Sequence, residues 1–358
     1  MTLISLIILP LIVSFMTSYL STPWVIKFAT RFNLIDDPKV NKHPKVLHKR
    51  PIPRAGGLAT FIGVLAGIVF FLPLDKHIVA IAIGALIIVV LGILDDKYNI
   101  HPLLRLIAMT LAALIPIASG IGIAFATSPL GGLIDLSYPR FEFFLMGEER
   151  SIWILSDIFA LFWIVFMMNI LNMGAKGIQG QLPGVTAIAA TTIVLLSTKF
   201  TADITEWPVM ILAVITTGAY LGFLPWNFFP QKIMPGFAGS TLAGYLLAVL
   251  SILSTAKVGT LLIVLGIPIV DTLYTIFRRI ASGKSPFWGD RGHLHHKLLD
   301  SGLSQKQVVY FYWATTCLLG ALALNLNASH KLYTIIGITI FTGGLLLFLT
   351  HKPKNVNN

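Results

Sequence analysis

Two adjacent acids, Asp95 and Asp96, close the apolar run IAIGALIIVVLGILDD. The C-terminal end of a helix disfavours negative charge, so a carboxylate pair there predicts a compensating cation. Carboxylate oxygens are what a hard ion such as magnesium selects; a solvated helix end is the bland alternative. A third acid, Asp271, lies inside the apolar stretch VLGIPIVDTLYTIFRR. An ionised carboxylate at a membrane helix centre costs about 2.5–3.5 kcal/mol on insertion scales, so Asp271 is expected to face a polar cavity. Arg278 stands two helical turns further on, placed to pair with Asp271 or to meet a phosphate. The segment GKSPFWGDRGHLHHKLLDSGLS adds Arg291, the histidines His293, His295 and His296, and Lys297. No Cys or catalytic Glu accompanies the histidines at zinc-site spacing. Donation to a diphosphate beside magnesium-ready carboxylates therefore fits better than zinc.

The elements that position these groups must be membrane helices. The chain has 358 residues, 56% apolar and only 11% charged, with mean hydropathy +0.83. Soluble domains carry about 25% charged residues, so a soluble enzyme, a disordered chain and a disulfide scaffold are excluded. The single cysteine, Cys317, forms no intramolecular bridge. A spanning helix needs about 20 apolar residues, and eleven stretches qualify: about 3–22, 55–73, 76–94, 103–125, 151–173, 183–199, 206–224, 237–255, 258–277, 307–325 and 332–350. The first lacks a basic leader and a small-residue cleavage site, so it is expected to be retained. The expected fold is an all-α polytopic membrane protein of about eleven transmembrane helices. Alternate connections hold twenty and six of the Lys and Arg residues, which predicts an outside N-terminus and a cytoplasmic C-terminus. The net charge of +11 is thus mainly topology, and nucleic acid is not expected as a partner.

Polar chemistry concentrates on the predicted inner face, in segments 36–57, 169–184, 225–240 and 271–297 and at the Asp pair. Five segments meeting at one face look like an active site built from loops, whereas a transporter site is expected near the midplane. The basic segment 39–54 suits a diphosphate or anionic lipid heads, and Gly56-Gly57 permits close backbone packing. The outer segment 126–150 reads as a surface hairpin or interfacial segment.

HKRPIPRAGGLA, LGILDD, NILN, FLPWNFFPQKIMPGFAGSTLAGY, PIVDTLYTIFRR and GDRGHLHHKLL follow one another along the chain. In that order and spacing, from about residue 20 to 325, the chain resembles the polyprenyl-phosphate N-acetylhexosamine-1-phosphate transferases of glycosyl transferase family 4. The likeness is to the bacterial branch that primes cell-wall and surface polysaccharides. The resemblance implies one transmembrane domain over 1–358, in the plasma membrane with its site facing the cytoplasm. It implies that a UDP-N-acetylhexosamine, such as UDP-N-acetylglucosamine, donates its sugar-1-phosphate to undecaprenyl phosphate and releases UMP. Magnesium, or manganese, and a homodimer are implied as well. Carried over residue by residue, it makes Asp95, Asp96, Asp271 and His295 catalytic, and Asp95, Asp96 and Asn172 metal ligands. His48, Arg54, Asn169, Lys176, Gln179, Asn227, Arg278, Arg291, His293 and His296 become substrate-binding. The two adjacent acids suit ligation of metal and water, and the family pattern also admits one of them as a base.

The chain departs from that pattern in two motifs. Where the family has N-x-x-N-x-x-D-G-x-D-G, Asn169 and Asn172 are followed, after a one-residue insertion, by Lys176 and Gln179 at the two Asp positions. Where it has M-G-D-x-G-S, the chain reads PGFAGS and places Phe237. The cleft is then four charges more positive than the pattern. Retention of Asp95, Asp96, Asp271, Arg291 and the three histidines favours an active transferase in which Lys176 supplies charge to the diphosphate. A non-catalytic lipid or nucleotide binder and a transporter are the competing readings.

Overall fold

The structure is a computed structural model that describes residues 4–41, 46–128, 131–145, 148–200, 206–254, 257–286 and 289–351. Parts of the basic segment (42–45), of the outer segment (129–130 and 146–147) and of the loop before the histidines (287–288) lie outside the described residues. Apolar sequence that must satisfy its own backbone in lipid forms helix, and helices dominate here. They are α1 (Leu9–Arg31), α2 (Gly56–Phe71), α3 (Lys76–Tyr98), α4 (Pro102–Ala118), α5 (Ile154–Gly174), α6 (Gln181–Ser197) and α7 (Trp207–Asn227). There follow α8 (Gly236–Leu253), α9 (Lys257–Val264), α10 (Gly266–Ala281), α11 (Leu294–Asp300), α12 (Gln305–Ala323) and α13 (Ala328–His351).

Each of the eleven apolar stretches falls on one or two of these helices, but the count of spans changes. Among the described residues, seven helical stretches are long and apolar enough to cross a membrane: Ser5–Arg31, Lys76–Tyr98, Ile154–Gly174, Gln181–Phe200, Trp207–Asn227, Gly236–Leu253 and Ala328–His351. An eighth arises if the bent pair Val258–Val264 and Gly266–Ala281 counts as one. The expected span at 258–277 is broken, and its two halves meet at 80°. Pro268 is the physical reason: it has no N–H for the carbonyl of Val264, so one helix cannot run through. Helices α2 and α4 are apolar but only 16 and 17 residues long, and α12 is not among the seven.

Helix α8 lies at the centre, buried on every side from Gly236 to Ser251. Buried polar tips there find backbone partners, as they must in an apolar interior. Tyr245 Oη donates to the Ile81 carbonyl (3.1 Å) and Tyr220 Oη to that of Gly239 (2.8 Å). Outside, Trp24, Phe70, Phe162, Phe277 and Phe348 are exposed. So much apolar surface is foreign to a soluble monomer and suits a lipid-facing bundle.

Among the described residues there are also three antiparallel strand pairs. Strands β1 (Ile35–Asp36) and β2 (Ile52–Pro53) pair Ile35 with Pro53. The outer segment forms two more, β3 (Phe125–Thr127) with β4 (Leu133–Asp135) and β5 (Arg140–Leu145) with β6 (Glu148–Trp153). The C-terminal ends of α1, α3, α5 and α7 and the N-terminal ends of α2, α4, α6 and α8 gather at the end of the bundle that carries Asp95 and Asp96. The outer hairpins, between α4 and α5, stand at the opposite end.

Candidate active site

The β1–β2 ladder is short, yet it sets one wall of the site. It brings Arg54 to Asp36, whose carboxylate accepts from Arg54 Nη2 (2.8 Å) and Asn41 Nδ2 (3.0 Å). Burial pushes the Asp36 carboxyl up, but those bonds and the Arg54 charge outweigh it and hold the group below the usual carboxylate range. His48 Nε2 lies 3.2 Å from the Asp36 carbonyl.

From Arg54 the chain turns into α2 through Ala55 in the left-handed region (φ 67°). The glycines that follow lie against α8 so closely that a Cβ on Gly57 would collide with the Gly239 backbone. The N-termini of α2 and α8 therefore sit side by side, and both meet Asp96. Its carboxylate accepts from the Phe237 N–H (3.1 Å) and the Ala55 N–H (3.3 Å). Gly236 (φ 69°) makes this approach possible, because a Cβ there would overlap the Asp96 carboxylate. The charge at the α3 C-terminus is thus offset by the positive ends of two other helices, where the sequence led us to expect an ion.

Asp95 is nearly buried, and Arg105 Nε stands 3.4 Å from its Oδ1, which has no hydrogen-bond partner among the described residues. The Arg105 guanidinium lies 5.3 Å from the ring centroid of Phe237, and Lys176 Nζ 5.9 Å from the same centroid. Lys176 Nζ also donates to Asn172 Oδ1 at 2.6 Å, and the Ser240 hydroxyl donates to that same oxygen at 2.8 Å.

The opposite wall is the histidine segment. Asp271 is fully buried, and its two oxygens accept from His293 Nδ1 (3.0 Å) and from the Leu294 N–H that opens α11 (2.7 Å). Arg279 Nη2 lies 3.5 Å from His293 Nε2, on the side of the ring away from Asp271. Of the two expectations for Arg278, pairing with Asp271 or meeting a phosphate, the first is not realised. Both oxygens of Asp271 are already engaged, and Arg278 Nη2 donates instead to Asp290 Oδ2 (2.6 Å). Arg279 joins Asp290 through Nη2 (3.1 Å) and reaches the Pro286 carbonyl through Nη1 (2.7 Å). Although burial pushes Asp290 up, its bonds to Arg279, the Gly292 N–H and Arg278 hold it well below the usual carboxylate range.

His295 and His296 are buried, and their Nδ1 atoms have no hydrogen-bond partner among the described residues. Burial, with Arg291 and the neighbouring imidazoles, lowers His295 well below an ordinary histidine and His296 to about 4. Both are neutral at pH 7. In the unfolded chain they take up protons near pH 6.5, so stability is complete above that pH and falls as the pH drops from 6.5 towards 4. Melting temperatures of detergent-solubilised protein should fall over this window, and His296→Asn should flatten the fall; an unchanged profile would contradict the buried neutral state.

These walls enclose a cavity of about 420 Å³. His48, Arg54, Asp95, Asp96, Asn169, Asn172, Lys176, Gln179, His293, His295 and His296 all line it. Asn169 Nδ2 bonds back to the Val165 carbonyl in its own helix (2.8 Å). Gln179 Oε1 accepts from the Gln231 N–H (3.1 Å), joining two loops. Four residues expected at the site are not in the lining. Asp271 and Arg278 act from behind it. Asn227 accepts from the Gly180 N–H (2.8 Å) and donates to the Ile233 carbonyl (2.9 Å), so it shapes loops rather than meeting a ligand. Arg291 forms an ion pair with Asp300 (2.6 Å). Sequence reasoning missed Asp36, Arg105, Arg279 and Asp290 as lining groups. For Arg105 a signal existed, since it is the one charge in the stretch 103–125.

The donors expected for magnesium do not form a fitting set. Among the described residues, no group of three or more His, Cys, Asp or Glu side chains is arranged to hold a metal. The Asn172 oxygen is taken by an ammonium and a hydroxyl, the Asp96 oxygens by two backbone N–H groups, and Asp95 faces a guanidinium.

Comparison with known proteins adds independent information. The family model described as glycosyl transferase family 4 matches residues 78–255. A Bacillus subtilis (strain 168) protein described as a probable undecaprenyl-phosphate N-acetylglucosaminyl 1-phosphate transferase is 33% identical over 310 residues, covering 85% of this chain and 80% of the relative. The decaprenyl-phosphate N-acetylglucosaminephosphotransferase of Mycolicibacterium smegmatis is 26% identical, over 90% of this chain and 83% of its own. The undecaprenyl-phosphate alpha-N-acetylglucosaminyl 1-phosphate transferase of Haemophilus influenzae is 27% identical, over 96% and 92%.

Proposed function

Because the chain belongs to glycosyl transferase family 4, as a polyprenyl-phosphate N-acetylhexosamine-1-phosphate transferase, we propose that it moves N-acetylglucosamine-1-phosphate from UDP-N-acetylglucosamine to undecaprenyl phosphate. The observation that carries this reading is the convergence of motifs running from His48 to His296 on one cavity at one end of an apolar bundle. A lipid phosphate reaches such a cavity from the bilayer, and a soluble nucleotide reaches it from water. An oxygen of the lipid phosphate attacks the sugar-bearing phosphorus, a new P–O bond closes the lipid diphosphate, and the bond to the bridging oxygen breaks so that UMP leaves with that oxygen. The attacking phosphate is largely ionised at pH 7, its second pKa being about 6, so no strong base is required. Positioning and charge stabilisation do most of the work in phosphoryl transfer. Arg54, Arg105 and Lys176 supply positive charge on one wall. Neutral His295 and His296 offer ring nitrogens on the other.

In this reading the seven long helices, the bent pair, α2, α4 and α12 make eleven crossings. The N-terminus is outside, and the acid-bearing end faces the cytoplasm of a bacterial plasma membrane, supported by the twenty-to-six division of Lys and Arg. Purified protein with undecaprenyl phosphate and UDP-N-acetylglucosamine should release UMP in step with a lipid-linked diphosphate sugar, and a panel of UDP-sugars identifies the preferred donor. Binding of UDP-sugar without UMP from any donor would favour the non-catalytic reading.

A further inference from the structure

Resting on that reading, we propose that Lys176 and Arg105 stand where a divalent ion would otherwise act, so that the pyrophosphate of a UDP-sugar binds, and its sugar-1-phosphate is transferred with release of UMP, without magnesium. Four observations converge on this. The Lys176 ammonium sits on Asn172 Oδ1 at 2.6 Å, and the Ser240 hydroxyl holds that oxygen from the other helix at 2.8 Å. The neutral oxygen best suited to a hard ion is therefore turned towards a cation that belongs to the chain. Phe237, which opens α8 beside Asp96, brings an apolar ring with no ligating atom, and both Lys176 and Arg105 approach that ring within 6 Å of its centroid. Arg105 is oriented by Asp95, so this carboxylate is neutralised before any ligand arrives. Asp96 is met within the chain by the N-termini of α2 and α8 and by the charges of Arg54 and Lys176.

Charge arithmetic points the same way. Lys176, Gln179 and Phe237 line one cavity, and together they make it more positive than the acidic pattern by the charge of two divalent ions. Adding magnesium would set a dication beside a fixed ammonium and guanidinium, where like charges repel strongly in a partly buried site. Lysine is well suited to the substitute role, because its ammonium binds phosphate as a compact point charge.

The test uses the full chain in detergent, stripped of metal with EDTA, and reads two quantities: equilibrium binding of UDP-N-acetylglucosamine, and UMP release with undecaprenyl phosphate. Binding and release should each agree within twofold between EDTA and added magnesium. Lys176→Ala should weaken binding at least tenfold in EDTA, while Lys176→Arg, which keeps the charge, should stay within about threefold and serves as the folding control. The double variant Lys176→Asp with Phe237→Asp should lose binding in EDTA and regain it at least tenfold with magnesium. Wild-type binding that drops tenfold in EDTA and returns with magnesium would overturn the inference and leave the transfer reading standing. Metal-independent binding with no UMP released under either condition would overturn the transfer reading alone, and no binding under either condition would overturn both.

Discussion

Asp271→Ala is expected to destabilise the protein by about 3–5 kcal/mol and to reduce transfer beyond detection. Its carboxylate is fully buried and accepts from His293 Nδ1 and the Leu294 N–H. Removing one member of a buried hydrogen-bonded pair costs on this order, because the partner stays behind without an acceptor. Here two donors are stranded, one of them at the first residue of α11. That short helix carries His295 and His296, so losing its anchor shifts both imidazoles. Asp271→Asn keeps one acceptor oxygen and should fall between wild type and alanine in melting temperature. An alanine variant that melts like wild type and turns over normally would show that α11 is held by other contacts.

The second large effect separates two adjacent acids. Asp96→Ala removes the acceptor shared by the Ala55 and Phe237 N–H groups, and we expect a loss of about 2–4 kcal/mol with a fall in transfer of a hundredfold or more. Asp95→Ala should leave the melting temperature within a few degrees, because Oδ1 makes no hydrogen bond among the described residues and the carboxylate's bond from the Ile100 N–H is a single local one. Transfer should still fall at least tenfold, since Arg105 loses the carboxylate that orients it. Thermal melts and UMP release on the two variants measure the difference. Equal loss of stability in both would refute the division between a positioning acid and a charge-orienting one.

Much of the fold was legible from the sequence because membrane helices declare themselves by long apolar runs. Helix α3 is the clearest case: Asp75 caps it by accepting from the His77 and Ile78 N–H groups, and the acid pair closes it. The break at Leu265 was harder to read, since Gly266 and Pro268 sit in a stretch whose average hydropathy is high and a window average hides one missing N–H. In the site, the sequence identified the groups that line the cavity better than it identified their partners. Asp96 looked in need of an ion because only its own helix was visible; the compensating N–H groups come from residues 41 and 141 positions away. Arg278 lies on the Asp271 face of one helix by spacing alone, but α11 packs onto Asp271 and the loop carries Asp290 to Arg278. Such pairings depend on tertiary contacts that no local pattern encodes.

The shortness of α2 and α4 bears on the surrounding bilayer. At 1.5 Å per residue, their 16 and 17 residues rise only about 24 and 26 Å, against a hydrocarbon thickness of about 30 Å. Both carry exposed apolar side chains, Phe70 on α2 and Leu103, Leu104 and Leu111 on α4. In the eleven-crossing reading, hydrophobic mismatch makes lipid thin locally against them, at a fraction of a kcal/mol per ångström. Both helices begin at the acid-bearing end, so thinning taken up in that leaflet lowers the headgroup plane beside Arg105 and Gly56. A polyprenyl phosphate arriving there finds its own phosphate already lowered towards the cavity mouth, and thicker membranes raise the work of bringing it in.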